Sequence, residues 1–205
     1  PFFLGDESVS LMAETLHYRE LGAAPRVLVL LHGLFGSAAN WMGIARQLAP
    51  DWRVVVPDLR NHGRSFHDAD VSYPALADDV QALLDALGLE RAVLVGHSMG
   101  AKTAMWLALV APDRVQRLVA VDSAPVAHAS GVAGLLGALA ALELATLPDR
   151  AAADAALAGA VPDARVRDYL LQNLVRHHGA WRWRMNVPAL LAGIDTITGW
   201  PEPPA

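Results

Sequence analysis

Ala92-Val93-Leu94-Val95-Gly96-His97-Ser98-Met99-Gly100-Ala101-Lys102 is the stretch from which the rest of this chain can be read. Residues 92–96 form an apolar run of strand length, of the kind that suits a strand buried on both faces of a parallel sheet. Residues 99–110 read as a helix stopped before Pro112. Between them, Gly96-His97-Ser98-Met99-Gly100 matches Gly-x-Ser-x-Gly. A serine on a sharp strand-to-helix turn presents its hydroxyl above the sheet. Glycines two positions before and after it let neighbouring backbone approach without Cβ clashes. The turn also aims the first N–H groups of the helix toward the serine. A five-residue pattern recurs by chance; the strand before it and the helix after it give this one its weight.

The same rhythm extends outward. Residues 26–32, 53–57 and 117–121 are further buried-strand runs. Residues 40–48 have helical spacing behind Asn40, a suitable cap. Residues 73–87 carry a helical stripe of Leu76, Val80, Leu83, Leu84 and Leu87, ended by Gly88. Residues 9–21 alternate with interruptions and read as one or two edge strands. Strands alternating with helices predict an α/β fold, a doubly wound and mostly parallel sheet. After Asp122 the rhythm changes. Residues 132–145, 151–158, 166–175 and 188–194 read as helices, with no strand run among them. The expected organisation is a core over residues 1–126, a helical lid insertion over 127–199, and the start of a further core section at 200–205. The last strands are expected beyond Ala205.

The chain has 205 residues, 54% of them apolar and 18% charged. This suits one globular domain with an elaborate insertion and excludes a disordered chain. Sixteen basic residues against 21 acidic give a net charge of −5, which argues against a nucleic-acid partner. There is no cysteine, so disulfides, cysteine–zinc sites, iron–sulfur clusters and thiol catalysis are excluded. A reducing, cytoplasmic setting is the expectation. No run reaches the roughly 18 uncharged apolar residues of a membrane span, and the first residues lack the pattern of a signal peptide.

His32-Gly33-Leu34-Phe35-Gly36-Ser37 directly follows the strand run at residues 26–32. Acyl transfer needs two N–H donors aimed at the developing oxyanion. The residue after the serine, Met99, supplies one, and the loop after this earlier strand supplies the other, at Leu34.

With these residues in view, the chain resembles the serine hydrolases of the α/β-hydrolase superfamily. Within it, the chain is similar to the abhydrolase-type esterases of acyl esters and thioesters. The resemblance also rests on Asp58-Leu59-Arg60-Asn61-His62-Gly63-Arg64-Ser65, on Val121-Asp122-Ser123-Ala124-Pro125-Val126, and on Asn186-Val187-Pro188 with Gly199-Trp200. One departure is Ala101, where many relatives place a second glycine. The resemblance implies catalysis by Ser98 with Asp122 as the acid that orients a histidine, Asp195 being a weaker alternative. Phe35 and His97 are the candidate substrate-binding residues. It implies no cofactor and no metal, and a small-molecule acyl ester or thioester as substrate. The expected order is Ser, Asp, His along the chain. None of the eight histidines follows a late strand, so the base is expected beyond Ala205, with His128 or His178 as substitutes. Rival readings are lyase or haloperoxidase chemistry on the same fold, or a non-catalytic binding protein.

Other patterns read as structural. Asp58, Arg60 and Ser65 brace a loop. Asp78-Asp79 reads as a solvated pair on an exposed helix face. His177-His178 lacks the spacing of a zinc motif. Trp181, Trp183 and Met185 read as packing residues of the insertion.

Overall fold

A computed structural model describes residues 15–128 and 131–202. The first half of the alternating segment at residues 9–21 lies outside the described residues. Its second half forms β1 (Tyr18–Leu21). There follow β2 (Val27–Leu31), α1 (Ala38–Leu48), β3 (Arg53–Pro57), α2 (Tyr73–Ala86), β4 (Ala92–His97), α3 (Met99–Val110) and β5 (Val115–Val121). These strands make one sheet in the order β1-β3-β2-β4-β5. β2, β3, β4 and β5 run parallel, and β1 pairs antiparallel with β3.

Period-two alternation divides the strand residues between two cores. Val27, Val29 and Leu31 of β2, Val55 of β3 and Leu94 of β4 face α2 and α3 in the larger one. Leu28, Leu30, Val54, Val56 and Val93 face α1 with Ala38 and Ala45. Every residue of β2 is buried, as a parallel strand covered on both faces requires. Truncating one of these leucines to alanine would cost about 2–5 kcal/mol. The two edges of the sheet differ. β1 carries an Arg53–Glu20 ion pair at 2.9 Å, whereas β5 presents Leu118, Val119 and Val121 to solvent.

Helix α1 begins earlier than the sequence suggested. Ser37, not Asn40, is its N-cap. The Ser37 hydroxyl accepts from Ala39 N–H at 3.3 Å, and Ser37 N–H donates to Asn40 Oδ1 at 2.7 Å. Asn40 is thus the reciprocal partner in a capping box. From β2, the chain crosses to β3 on one side and then to β4 on the other. That reversal opens a crevice at the carboxyl ends of β2 and β4.

The region after β5 departs from the expected all-helical insertion. It contains α4 (Val132–Ala140), α5 (Arg150–Leu157), α6 (Ala164–Leu171), α7 (Val187–Ala192) and α8 (Ile194–Thr198). It also contains an antiparallel hairpin, β6 (Leu174–His177) and β7 (Ala180–Trp183). The helix read over residues 166–175 ends at Leu171. His178 (φ 49°) and Gly179 (φ 83°) are both left-handed, the conformation of a type I′ hairpin turn. Trp181 and Trp183 alternate because they lie on a strand, and their indole N–H groups donate to Leu147 O at 3.0 Å and Leu139 O at 3.2 Å. No helix among the described residues is long and apolar enough to cross a membrane.

Candidate active site

Ser98 sits between β4 and α3 with φ 50° and ψ −115°, a left-handed conformation that disfavours any residue with a Cβ. Its N–H donates to Val121 O at 3.0 Å, and its own carbonyl accepts from Ala101 and Lys102 N–H. The flanking glycines are dictated by space. A Cβ on Gly96 would lie 2.3 Å from Gly100 O, and one on Gly100 would lie 2.5 Å from Leu31 O. The loop after β2 packs directly on this turn, since a Cβ on Gly33 would lie 3.2 Å from Ser98 Cβ.

Leu34 and Met99, the predicted oxyanion donors, flank Ser98 on one small cavity. Among the described residues, neither backbone N–H has a backbone acceptor outside the helices and strands. Phe35 has φ 65°, and its side chain is buried in the larger core. It lines neither cavity beside Ser98. Sequence reading missed what holds this loop. Asn173, buried after α6, donates through Nδ2 to Phe35 O at 2.8 Å, and the Tyr169 hydroxyl reaches Leu34 O at 3.4 Å. A polar pair between apolar residues, in Leu170-Leu171-Gln172-Asn173-Leu174-Val175, was the available signal.

Asp122 follows β5 with φ 51°. β4 and β5 are in register at His97 and Val121, so the next residue on each strand, Ser98 and Asp122, emerges side by side. Asp122 is exposed. Asp195 lies in the first turn of α8 and does not line the cavity that holds Ser98. His178 is at the hairpin tip, its ring 4.1 Å from that of His177. His128 does line the cavity with Ser98, but its Nδ1 faces Lys102 Nζ at 3.3 Å. No histidine among the described residues hydrogen-bonds to Ser98.

Ser98 lines one cavity, and a second cavity is lined by its neighbour His97. The smaller, about 50 Å³, is lined by Leu34, Tyr73, Ser98, Met99, Lys102, His128, Val132, Ile197 and Thr198. The larger, about 200 Å³, is lined by His32, Gly33, His97, Val121, Tyr169 and residues of α1. His97 therefore stands at a cavity wall. Lys102 is 1% exposed, and burial pushes its ammonium below the usual lysine range.

A polar brace supports the β2 loop from below. Buried Asp58 accepts from Ala38 N–H at 2.7 Å and Arg64 N–H at 3.0 Å, and faces His17 Nδ1 at 3.1 Å. His32 Nε2 accepts from Leu59 N–H at 3.0 Å. Burial lowers the His32 imidazole, and burial first, then neighbouring His32, holds His62 down at about 3. Asp79 is not the solvated partner of Asp78. It binds the Arg60 guanidinium at 2.5 and 2.7 Å, because α2 turns it toward the loop after β3. Among the described residues, no three His, Cys, Asp or Glu side chains gather as a metal would need.

Comparison with known proteins bears on the fold. Residues 26–186 match the alpha/beta hydrolase fold family. The chain is 42% identical to the sn-1-specific diacylglycerol lipase ABHD11 of Mus musculus, over 97% of this chain and 68% of that one. It is 38% identical to the esterase YbfF of Escherichia coli (strain K12), over 87% of this chain and 69% of that one. A solved marine microorganism esterase superposes with a TM-score of 0.90 at 32% identity, over 93% of this chain and 76% of that one. The chain thus spans 68–76% of the length of these relatives. A strand-to-helix serine turn on a mostly parallel sheet, and a match across residues 26–186, place this chain in the α/β-hydrolase fold family, where its relatives are esterases and lipases.

Proposed function

We propose that this chain forms the nucleophile-bearing part of a serine esterase that cleaves carboxylic esters or thioesters through an acyl-enzyme. The observation that carries the reading is the left-handed Ser98, with Asp122 emerging beside it. Ser98 Oγ attacks the carbonyl carbon as a histidine takes its proton. The Leu34 and Met99 N–H groups hold the oxyanion; losing one such donor costs about 3–4 kcal/mol. The alcohol or thiol leaves with the proton, and water then releases the acid. Asp122 orients the histidine and stabilises its imidazolium. Neither substitute is assigned as the base, because His128 is engaged with Lys102 and His178 is at the hairpin tip.

The test uses the full-length gene product with a fluorophosphonate probe and p-nitrophenyl esters. Labelling of Ser98 and loss of ester cleavage in Ser98→Ala, on the order of 10⁴-fold or more, is the expected result. Full activity in Ser98→Ala would remove that residue from its role. A folded wild-type protein that neither labels nor cleaves would favour a non-catalytic binding protein.

A further inference from the structure

The last helix of the insertion is held in an unusual way. Helix α8 ends with carbonyls that have no partner in the helix itself. Three consecutive ones are taken by two side chains from the core. The Tyr73 hydroxyl, at the first residue of α2, donates to Ile197 O at 2.5 Å. Lys102 Nζ, on α3 one turn after Ser98, donates to Thr198 O at 3.1 Å and Gly199 O at 2.6 Å. The third direction of the ammonium faces His128 Nδ1 at 3.3 Å. His128 N–H in turn donates to Thr198 O at 3.1 Å. Lys102 therefore ties both ends of the insertion to the helix that starts at Ser98. Among the described residues, this buried ammonium has no carboxylate partner; carbonyl oxygens at a helix C-terminus take that place, where a cation is favoured.

Tyr73, Lys102, Ile197 and Thr198 are also walls of the 50 Å³ cavity that contains Ser98. The clamp therefore sets the size of that cavity. A space needs roughly 10–15 Å³ to hold one water-sized group, so this cavity has room for only a few such groups. Its walls are closed on the core side: Tyr73 and Lys102 are 1% exposed and Ile197 is 4% exposed. The 200 Å³ cavity includes Ile44, which is 46% exposed.

Taking Ser98 as the nucleophile, we infer that Tyr73 and Lys102 are specificity-determining positioning residues. They pin the end of α8 against the serine turn and restrict the acyl group to a short chain. A longer chain requires Thr198 and Gly199 to leave the ammonium and Ile197 to leave the Tyr73 hydroxyl.

The experiment measures kcat/KM of the full-length gene product for p-nitrophenyl acetate, butyrate and octanoate, with Lys102→Met and Tyr73→Phe in parallel and thermal unfolding as the fold control. Wild type is expected to prefer acetate or butyrate over octanoate by about tenfold or more, the discrimination that methylenes at a closed wall give. Lys102→Met is expected to raise the octanoate-to-acetate ratio about tenfold, and Tyr73→Phe, which removes one hydroxyl, about threefold. If Lys102→Met does not fold, Tyr73→Phe decides. A purely structural role would lower all three esters by one factor and leave the ratio unchanged, which overturns the inference, as does a wild type that prefers octanoate. A wild type that cleaves none of the three instead removes the esterase reading beneath it.

Discussion

Ser98 is approached from two sides that are built differently. On the core side, backbone fits against backbone, Gly96 against Gly100 and Gly100 against Leu31, and Gly33 fits against the side chains of His97 and Ser98. On the insertion side, a few side-chain hydrogen bonds span the gap: Asn173 and Tyr169 to the loop after β2, Tyr73 and Lys102 to the end of α8. Close-packed backbone has almost no tolerance, because any added atom displaces a strand. Side-chain bonds can be altered one at a time, each with a modest loss. In the proposed reading, the chemistry belongs to the rigid side and control over what enters belongs to the adjustable one.

The contrast can be broken at several points. Asp122→Asn is expected to lower kcat about 10⁴-fold; a loss below tenfold in full-length protein would move the acid elsewhere. Gly100→Ala should destabilise the fold by about 3 kcal/mol, read as a lower urea midpoint, because its Cβ would lie 2.5 Å from Leu31 O. Asn173→Ala should cost about 1–3 kcal/mol by leaving Phe35 O unpartnered, and should lower kcat more than it alters KM. A smaller effect comes from pH. His62 titrates at about 3 in the folded protein against about 6.5 unfolded. The unfolded state therefore binds the proton first. The stability is fully present above about pH 6.5 and is lost as pH falls toward 3, at about 1.4 kcal/mol per unit for this one group. Urea midpoints at pH 7.5 and 5.5 measure that slope.

The core side was legible in the sequence because it is written in residue types. Apolar runs such as Val27–Leu31 mean strands covered on both faces, and glycines at 96 and 100 around a serine mean a turn too tight for side chains. The insertion was less legible. Its hairpin strands have four residues each, so the alternation of Trp181, Trp183 and Met185 was read as packing and not as a strand, and the His178-Gly179 turn was not read as one. Lys102 was read only as one residue of the helix over residues 99–110. Its partners are carbonyl oxygens, which every residue possesses, so no pattern of side chains announces them. Ser37 was overlooked as a cap for a similar reason: it belonged to a motif already given another meaning.

The left-handed backbone at Ser98 has an evolutionary consequence. A glycine would rest there without the roughly 1–3 kcal/mol that such a conformation costs other residues. Selection for stability alone would drift this position toward glycine and erase the hydroxyl. A lineage that keeps serine here is holding an uphill choice, generation after generation, which only the use of that oxygen rewards.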